Sequence, residues 1–309
     1  MMATTLGWKP AGDVEIIAGT PPGGGTDRSA RALLKAIEVN HLLDVPAKVV
    51  NIAGDGGRKA WVHIASRAGD ANLIGINSPN NATDVLTGII EAERIRNVPV
   101  AILYTEYMAF ISRSDSAFSS GAELLKRLAA NPKDVTISLS TSLGNPNHIA
   151  AAKVIKHAGA PVTAPKIRVF DSARDVVADI VAGNADIGVI TAASAVPELE
   201  AHQVRAIAIS SPERLKGIYA SAPTWREQSV DCVVGAWRGA AGAVGITAEQ
   251  IKFWEGVLSK AVKTKEWNAE LDRYFWTDMY LDGAALSAYL KQEYKEMEEI
   301  LGALGLLKV

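Results

Sequence analysis

The sequence predicts an α/β protein with mostly parallel sheets, and three observations support that prediction. Short runs rich in β-branched residues alternate with helical patterns through about the first two thirds of the 309 residues. Such alternation is typical of βα units, in which a helix connects two parallel strands. Helix start signals follow several of the runs, and the last third of the chain becomes helix-rich. The length favours about two domains.

Eight runs are predicted to be strands because they are short, apolar and rich in Val and Ile. In chain order they cover residues 14–18, 47–52, 73–76, 101–104, 135–139, 167–170, 187–190 and 205–209. Several of them end in a loop rich in Gly, Ser, Thr or Asn, which are the residues that turns prefer. The strand order along the chain therefore alternates with loops that lead into helices.

Capping residues mark the helix boundaries between these strands. Ser120, Ser172 and Thr247 each precede an acidic or amide residue by three positions, a spacing that fits or approximates a capping box. Gly159 and Gly183 stand where the C-terminal end of a helix favours a left-handed residue. These signals place helices directly after the strands that precede them.

The last third, from residue 247 onward, is predicted to be helical because apolar residues recur there at helical spacing. A helix-rich tail must pack on a sheet that is already built, so we expect it to return to the first domain. The predicted domains are residues 10–111 with 232–309, and an inserted second domain of residues 112–231. Extended crossings near residues 110–113 and 231–237 would connect them, with a ligand cleft between the two domains.

Charge and composition argue against several classes of protein. Lys and Arg number 32 and Asp and Glu 34, which gives a formal charge of −2. Proteins that bind nucleic acid usually carry a basic face, so no nucleic-acid partner is predicted. The single cysteine, Cys232, excludes an intrachain disulfide and a cysteine-based metal site. We expect it to be a small apolar core residue.

No segment resembles a membrane-spanning helix or a signal peptide. The longest stretch of low polarity, residues 232–246, is interrupted by Arg238 and is shorter than the roughly 20 residues that a span requires. The first eight residues contain neither the basic region nor the apolar region of a signal peptide. Direct membrane insertion is therefore not expected. The residues alone leave open a cytoplasmic protein and a chain from which a signal has been removed.

Five polar loops follow predicted strands and lead into helices, at the strand ends where ligands bind in open α/β sheets. The candidate ligand-binding residues are Thr20, Pro22, Gly24, Thr26 and Asp27 in the first loop, Ser78 and Asn80 in the second, Ser140, Thr141, Ser142, Gly144, Asn145, Asn147 and His148 in the third, Phe170, Asp171, Ser172 and Ala173 in the fourth, and Thr191 and Ala192 in the fifth. Helix N-termini offer N–H groups and partial positive charge to an anion. Together the loops predict a cleft rich in hydrogen-bond donors and poor in titratable groups.

The third loop is the strongest candidate for binding a carboxylate. It alone combines hydroxyls, a glycine turn at Gly144 and a helix start with Pro146 near the first turn. Each loop also fits an ordinary tight turn. The first loop, taken alone, favours that simpler interpretation, because it is neither a GxGxxG motif nor a P-loop with its lysine.

Binding is predicted in preference to catalysis. The sequence contains no HExxH, no GxSxG and no Cys/His cluster, and its 5 histidines are scattered. The alternative is an enzyme acting on a carboxylate or phosphate ester, with His148 as base and Ser142 or Thr141 as nucleophile. A second alternative is a sensor that presents its liganded form to a signalling partner. No catalytic residue, cofactor or metal site is predicted.

A set of short segments is specific in combination. They are residues 22–27 followed by Arg31, the glycine-rich turn 54–57, the loop 143–148, residues 183–186, the run 199–214 and the segment 235–239. The set resembles the motifs of the substrate-binding proteins of tripartite tricarboxylate transporters, the Bug-type periplasmic receptors. The resemblance extends through most of the chain.

This resemblance implies a two-domain periplasmic-binding-protein-like fold of type II, hinged by crossing strands. It further implies location in the periplasm, closure on a small carboxylate, and delivery to the membrane permease subunits of a tripartite transporter. We expect the protein to be a monomer. The donor-rich regions 20–27 and 140–147 favour a ligand with two carboxyl groups, while Phe170 and Trp237 leave room for an aromatic acid. Residues 170–172 read Phe-Asp-Ser where the family has a YKG-like stretch, which adds an acidic group and removes a glycine.

Overall fold

The computed structural model describes residues 7–308. Its strands are β1 (Val14–Ala18), β2 (Ala47–Asn51), β3 (Leu73–Asn77), β4 (Val98–Arg113), β5 (Thr136–Ser140), β6 (Lys166–Phe170), β7 (Ile187–Thr191), β8 (Val204–Ile209), β9 (Gly235–Gly242) and β10 (Thr277–Asp282). Its helices are α1 (Gly25–Val39), α2 (Arg58–Ser66), α3 (Asn80–Leu86), α4 (Gly121–Ala130), α5 (Pro146–His157), α6 (Ala173–Val181), α7 (Val196–Glu200), α8 (Ala248–Ala261), α9 (Lys265–Tyr274) and α10 (Gly283–Ala303). Short 3₁₀ turns lie between several of them.

The strands form one mixed sheet in the order β2-β1-β3-β9-β4-β7-β5-β6, with β8 and β10 also paired to β4. The outer strands are parallel: β1 pairs with β2 and β3, and β5 pairs with β6 and β7. The central pairs that involve β4 and β9 are antiparallel. The prediction of mostly parallel sheets is therefore correct for the outer strands and wrong for the centre, where the crossing strands return in the opposite direction.

Strand β4 belongs to both halves of this sheet. Its residues 98–107 pair with β9, and its residues 108–113 pair with β7 and β8. We call β1, β2, β3, β9, β10 and the first part of β4 the first half, and β5 to β8 with the rest of β4 the second half. The predicted strand at 101–104 is thus only the middle of a longer strand of 16 residues. The division into domains at residues 111 and 232 stays a prediction.

Each half has its own apolar core. In the first half, helices α1, α8 and α9 pack Leu33, Trp254 and Trp267 against the sheet, together with Tyr104 of β4. In the second half, buried side chains of α5 meet those of β5, β7 and the segment before β9. Cys232 lies in this second core with no exposed surface, and burial raises the pKa of its thiol to about 12. Its predicted role as an apolar core residue is confirmed.

The prediction of an exclusively helical C-terminal third is wrong at one place. Strand β10 separates α9 from α10 and pairs antiparallel with β4. Its sequence, TDMYLD, alternates polar and apolar residues in part, and edge pairing with β4 satisfies backbone groups that a loop would leave to water. The strand also positions α10 beside β4 and β10, where Leu286 packs with Trp237 and Ile102.

The predicted helix boundaries are confirmed. Ser120 and Ser172 accept hydrogen bonds from the N–H groups three residues later, and Thr247 forms a complete capping box with Gln250. Gly159 and Gly183 follow the ends of α5 and α6 with φ of 77° and 73°. These left-handed conformations are why the chain uses glycine there.

Candidate functional site

Loops from the two halves meet across the sheet ends. Three hydrogen bonds join them: Arg28 Nη2 to Ser194 Oγ at 3.1 Å, Asn80 Nδ2 to Thr141 Oγ1 at 3.0 Å, and Ser142 Oγ to Asp84 Oδ1 at 2.8 Å. The first, second, third and fifth predicted loops, or the residues beside them, all take part in these contacts. The structure therefore brings together loops that lie far apart in the sequence.

The first loop is organised around a buried carboxylate. Asp27 is 1% exposed, and its oxygens accept hydrogen bonds from Gly23 N at 2.7 Å, Asn51 Nδ2 at 2.8 Å and Arg31 Nε at 2.9 Å. Burial alone would raise the pKa of Asp27, but these hydrogen bonds outweigh it and hold the pKa below its usual value. Asp27 thus uses both oxygens to shape the loop.

The rest of the first loop prepares the start of α1. Thr20 Oγ1 accepts a hydrogen bond from Asp27 N at 3.1 Å and lies 3.0 Å from Thr26 Oγ1. Gly24 is the N-cap residue, and a Cβ placed there would lie 2.5 Å from Thr20 Cβ, so only glycine fits. Pro22 is exposed. Since Thr20 takes up the Asp27 N–H, the first two N–H groups of the helix are those that have no acceptor within residues 7–308 and are available to an anion.

The second loop carries amides to the boundary between the halves. Ser78 is buried, and its Oγ lies 3.4 Å from Asn80 N. Asn80 donates its side-chain N–H to Thr141, as described above. Both side-chain amide atoms of Asn81 are buried and have no hydrogen-bond partner within residues 7–308.

Asp84, on α3, is a connecting group that the sequence analysis missed. It is 1% exposed and accepts hydrogen bonds from Arg58 Nη1 at 2.9 Å and from Ser142 Oγ at 2.8 Å. Burial raises the pKa of its carboxyl, while both hydrogen bonds oppose that shift. Asp84 therefore links α2 and α3 of the first half to the third loop of the second half.

The third loop is held by its own amides. Asn145 Nδ2 donates to Ser140 O and to Thr141 Oγ1, both at 2.6 Å, and its Oδ1 accepts from His148 N at 3.1 Å, which caps α5. Asn147 Nδ2 donates to Ser140 Oγ at 2.9 Å. Thr141 has φ of 71°, an uncommon left-handed conformation for a β-branched residue. Because Thr141 Oγ1 accepts two amide N–H groups, its own proton is left for another acceptor.

His148 is a structural residue of this loop. Its Nδ1 accepts a hydrogen bond from Gly144 N at 3.0 Å, so the neutral ring carries its proton on Nε2. Burial lowers the pKa of His148 to about 4. With Nδ1 occupied and Nε2 protonated, the ring has no free lone pair for abstracting a proton. This removes the base that the enzyme alternative requires.

The fourth loop adjoins the third one within the second half. Phe170 O accepts a hydrogen bond from Thr141 N at 2.7 Å. Asp171 is exposed, Ser172 caps α6, and Ala173 is the first residue of that helix. Among the residues that the structure describes, no hydrogen bond joins 171–173 to the first half. The fourth loop therefore contributes to the candidate site through Phe170, whose carbonyl oxygen helps to orient Thr141.

The fifth loop contacts α1. Thr191 Oγ1 lies 3.0 Å from Ser194 Oγ, and Ser194 accepts from Arg28. Ala192 is buried, and its carbonyl oxygen accepts a hydrogen bond from the Tyr219 hydroxyl. The predicted site includes Thr191 and Ala192 but not Arg28 and Ser194. Arg28 directly follows the glycine-rich segment, and that position was the available signal.

A second missed group lies on the crossing strands. Arg238 of β9 forms an ion pair with Glu106 of β4, with Nη2 and Oε1 2.6 Å apart. The two side chains are 13% and 2% exposed. The segment 235–239 contributed to the family resemblance, but nothing in the local sequence indicated that Glu106 would be its partner.

Two features of the described residues concern metal-binding clusters and membrane-spanning helices. Within residues 7–308, no group of three or more His, Cys, Asp or Glu side chains is placed to hold a metal ion. Over the same residues, no helix is both long enough and apolar enough to cross a bilayer.

Comparison with known sequences gives one distant relative. No family model matches the chain. A UPF0065 protein encoded in the tcbD–tcbE intergenic region of Pseudomonas sp. strain P51 is 27% identical over 207 residues. The match covers 66% of this chain and 60% of that relative's length.

Comparison with solved structures gives closer agreement in fold. A TctC solute-binding protein from Polaromonas is 24% identical, with a TM-score of 0.67 over 95% of this chain and 99% of that one. MatC from Rhodopseudomonas palustris, solved with malate, is 19% identical, with a TM-score of 0.77 over 94% and 99%. An R. palustris protein solved with adipate is 16% identical, with a TM-score of 0.85 over 97% and 99%.

At these identities the structural likeness establishes the fold, and the high coverage of both chains shows that it extends over the whole architecture. The expected two-domain periplasmic-binding-protein fold of type II is confirmed. The chain thus shares the fold of the TctC- and Bug-type periplasmic binding proteins, the family that its glycine-rich segments resemble.

Proposed function

We propose that the protein is an extracytoplasmic solute receptor that captures a small carboxylate between the two halves of the sheet. The ligand carries two carboxyl groups, and the receptor is a periplasmic monomer that delivers it to the permease subunits of a tripartite tricarboxylate-type transporter. It performs no catalysis and uses no cofactor. The enzyme alternative gains no support, since His148 lacks the free nitrogen that a base needs. The sensor alternative shares the binding site and differs only in its output.

One observation carries this proposal: the start of α1 and the third loop lie on opposite halves, and hydrogen bonds connect the loops around them. A helix start favours a carboxylate because its N–H groups and partial positive charge face the same point. The free proton of Thr141 supplies a donor on the other side. Two donor regions on opposite walls suit a molecule with a carboxyl group at each end.

The ligands of two proteins with this fold support the proposed ligand class. Two proteins of this fold were solved with malate and with adipate, which are both dicarboxylates. Both ligands belong to the class that we propose for this chain. The fourth loop, with exposed Asp171, is the part of this chain where we expect selection among dicarboxylates.

A thermal-shift screen tests the proposed ligand class. We expect dicarboxylates such as malate, adipate, succinate and glutarate to raise the melting temperature. A ligand at 100 times its Kd adds about 2.7 kcal/mol of stability, or roughly 4 °C for a chain of this size. Adipamide, the neutral diamide of adipate, is the matched control and should give no shift. If only sugars or cations stabilise the protein, the proposed ligand class is wrong.

Ligand binding should also hold the two proposed domains together. The predicted division, residues 10–111 with 232–309 and residues 112–231, places β4 and β9 at the hinge. Opening would break the three hydrogen bonds between the halves, and a bound ligand would favour the arrangement that keeps them. We expect small-angle scattering to give a smaller radius of gyration with saturating ligand than without it. Superimposable curves for a ligand of measured affinity would contradict hinge closure.

A further inference from the structure

Arg238 is a buried cation with an incomplete set of partners. Its Nη1 donates to Trp237 O at 3.1 Å, and its Nη2 lies 2.6 Å from Glu106 Oε1. That ion pair is close but poorly aligned, and within residues 7–308 Glu106 Oε1 has no hydrogen-bond partner. The Nε of Arg238 is likewise buried without an acceptor. An Arg that is placed only to neutralise Glu106 would be expected to direct aligned N–H groups at its carboxylate.

Arg28 approaches the same region from α1. It lies in the first turn, donates to Gly23 O at 2.9 Å, and reaches Ser194 of the second half at 3.1 Å. Its Nε is also buried and has no acceptor in the described part of the chain. Arg28 thus has the same unused donor as Arg238, beside the residue that connects the two halves.

Both arginines lie near the start of α1. A Cβ placed on Gly25, the first residue of the helix, would lie 3.9 Å from Arg238 Nη2. Burial raises the pKa of Tyr104, Glu106 adds to that effect, and Arg238 and Arg28 oppose it. All three charged groups therefore act on one buried hydroxyl, which is itself hydrogen-bonded to Ser29 at 2.7 Å.

The charges of this group do not balance. Arg28 and Arg238 carry two positive charges, and Glu106 carries one negative charge. The other carboxylate nearby, Asp27, is already satisfied by Arg31 and by two uncharged donors. The start of α1 adds further positive potential. One anionic group bound near the start of α1 would complete the charge balance.

We infer that Arg28 and Arg238 form a charged clamp that binds one carboxylate of the ligand at the start of α1, with Glu106 as the residue that positions Arg238. This inference rests on the proposed function and adds a selection rule to it. The clamp accepts an ionised carboxylate and rejects a neutral amide of the same shape. It does so because an amide would leave the extra positive charge uncompensated.

Calorimetric titration of charge-removing variants tests the clamp, with malate, adipate and adipamide as probes. We expect Arg238→Gln and Arg28→Gln each to weaken dicarboxylate binding by a factor of about 10 to 100, because each removes hydrogen bonds to a charged group. The preference for adipate over adipamide should fall by a similar factor. The matched control is Arg214→Gln, which removes an exposed arginine paired with Glu227 at 2.9 Å and should leave both values unchanged.

A double variant distinguishes a loss of binding from a loss of folding. Arg238→Gln leaves Glu106 buried without a counter-ion, whereas Glu106→Gln with Arg238→Gln removes both charges together. We expect the double variant to keep a cooperative melting transition and still lose the preference for adipate. If the variants bind dicarboxylates with wild-type Kd values and the ratio of their Kd values for adipate and adipamide is unchanged, the proposed clamp is wrong. The proposed function would not be affected by that result. A wild-type protein that binds neither malate nor adipate nor any other carboxylate of the screen would overturn the proposed function together with the clamp.

Discussion

Replacing Asp27 by Ala should lower the free energy of unfolding by about 1.5–3 kcal/mol. The substitution removes the acceptor of Gly23 N and one of the two acceptors of Asn51 Nδ2, which would keep only its hydrogen bond to Thr20 O. It also releases Arg31 from its hydrogen bonds. Urea unfolding at pH 7 measures the loss, because Asp27 is ionised there and its stabilising effect is complete.

The matched control is Asp44→Ala, since Asp44 is an exposed carboxylate paired with Lys9 at 2.6 Å. Its removal should leave the unfolding midpoint almost unchanged. The pKa of Asp27 is lowered in the folded protein, so its stabilising contribution should disappear as the pH falls below the ordinary value of 3.8. A small effect of Asp27→Ala at pH 7, comparable with that of the control, would contradict a central role in shaping the loop.

Replacing Thr141 by Ala should weaken carboxylate binding by a factor of about 10 to 100, because the ligand loses a hydroxyl donor. The variant should also lose about 1 kcal/mol of stability, since Asn80 and Asn145 lose an acceptor. Thr141→Ser keeps the hydroxyl and should retain nearly wild-type affinity. Calorimetric Kd values and melting temperatures of the two variants provide the measurement.

The backbone of Thr141 allows a second control. At φ of 71°, glycine is accommodated without the steric cost that a Cβ carries. Thr141→Gly should therefore be more stable than Thr141→Ala by about 1 kcal/mol while binding the ligand just as weakly. If Thr141→Ala binds with wild-type affinity and only melts earlier, the third loop supports the fold and does not contact the ligand.

Local patterns predict the strands and caps well because they depend on neighbouring residues. The outer strands β1, β2 and β3 and the capping box at Thr247 follow from apolar runs and side-chain types alone. Strand β10 was missed because its pairing with β4 comes from residues about 170 positions earlier, which no local window contains. The length of β4 was underestimated for the same reason, since its ends are defined by partners from both halves.

The site was predicted loop by loop, but not the side chains that connect the loops. Gly24 and Asn145 fit their predicted places because backbone geometry and capping are local. The Arg238–Glu106 pair and the link from Arg28 to Ser194 depend on how the two halves meet. The conformation of Thr141 was also unpredictable, because the surrounding hydrogen bonds impose on a β-branched residue a backbone that it would otherwise avoid.

The position of β9 has a consequence for how the chain folds during synthesis. The second half has all of its strands once residue 209 has emerged, but the first half lacks its central strand until residue 242. Strands β1 to β3 therefore lack the β9 partner of β3 while more than half of the protein is synthesised, and that edge of β3 stays unpaired during this time. Contacts of such long sequence separation slow folding. The segment that is translated first consequently completes its sheet last.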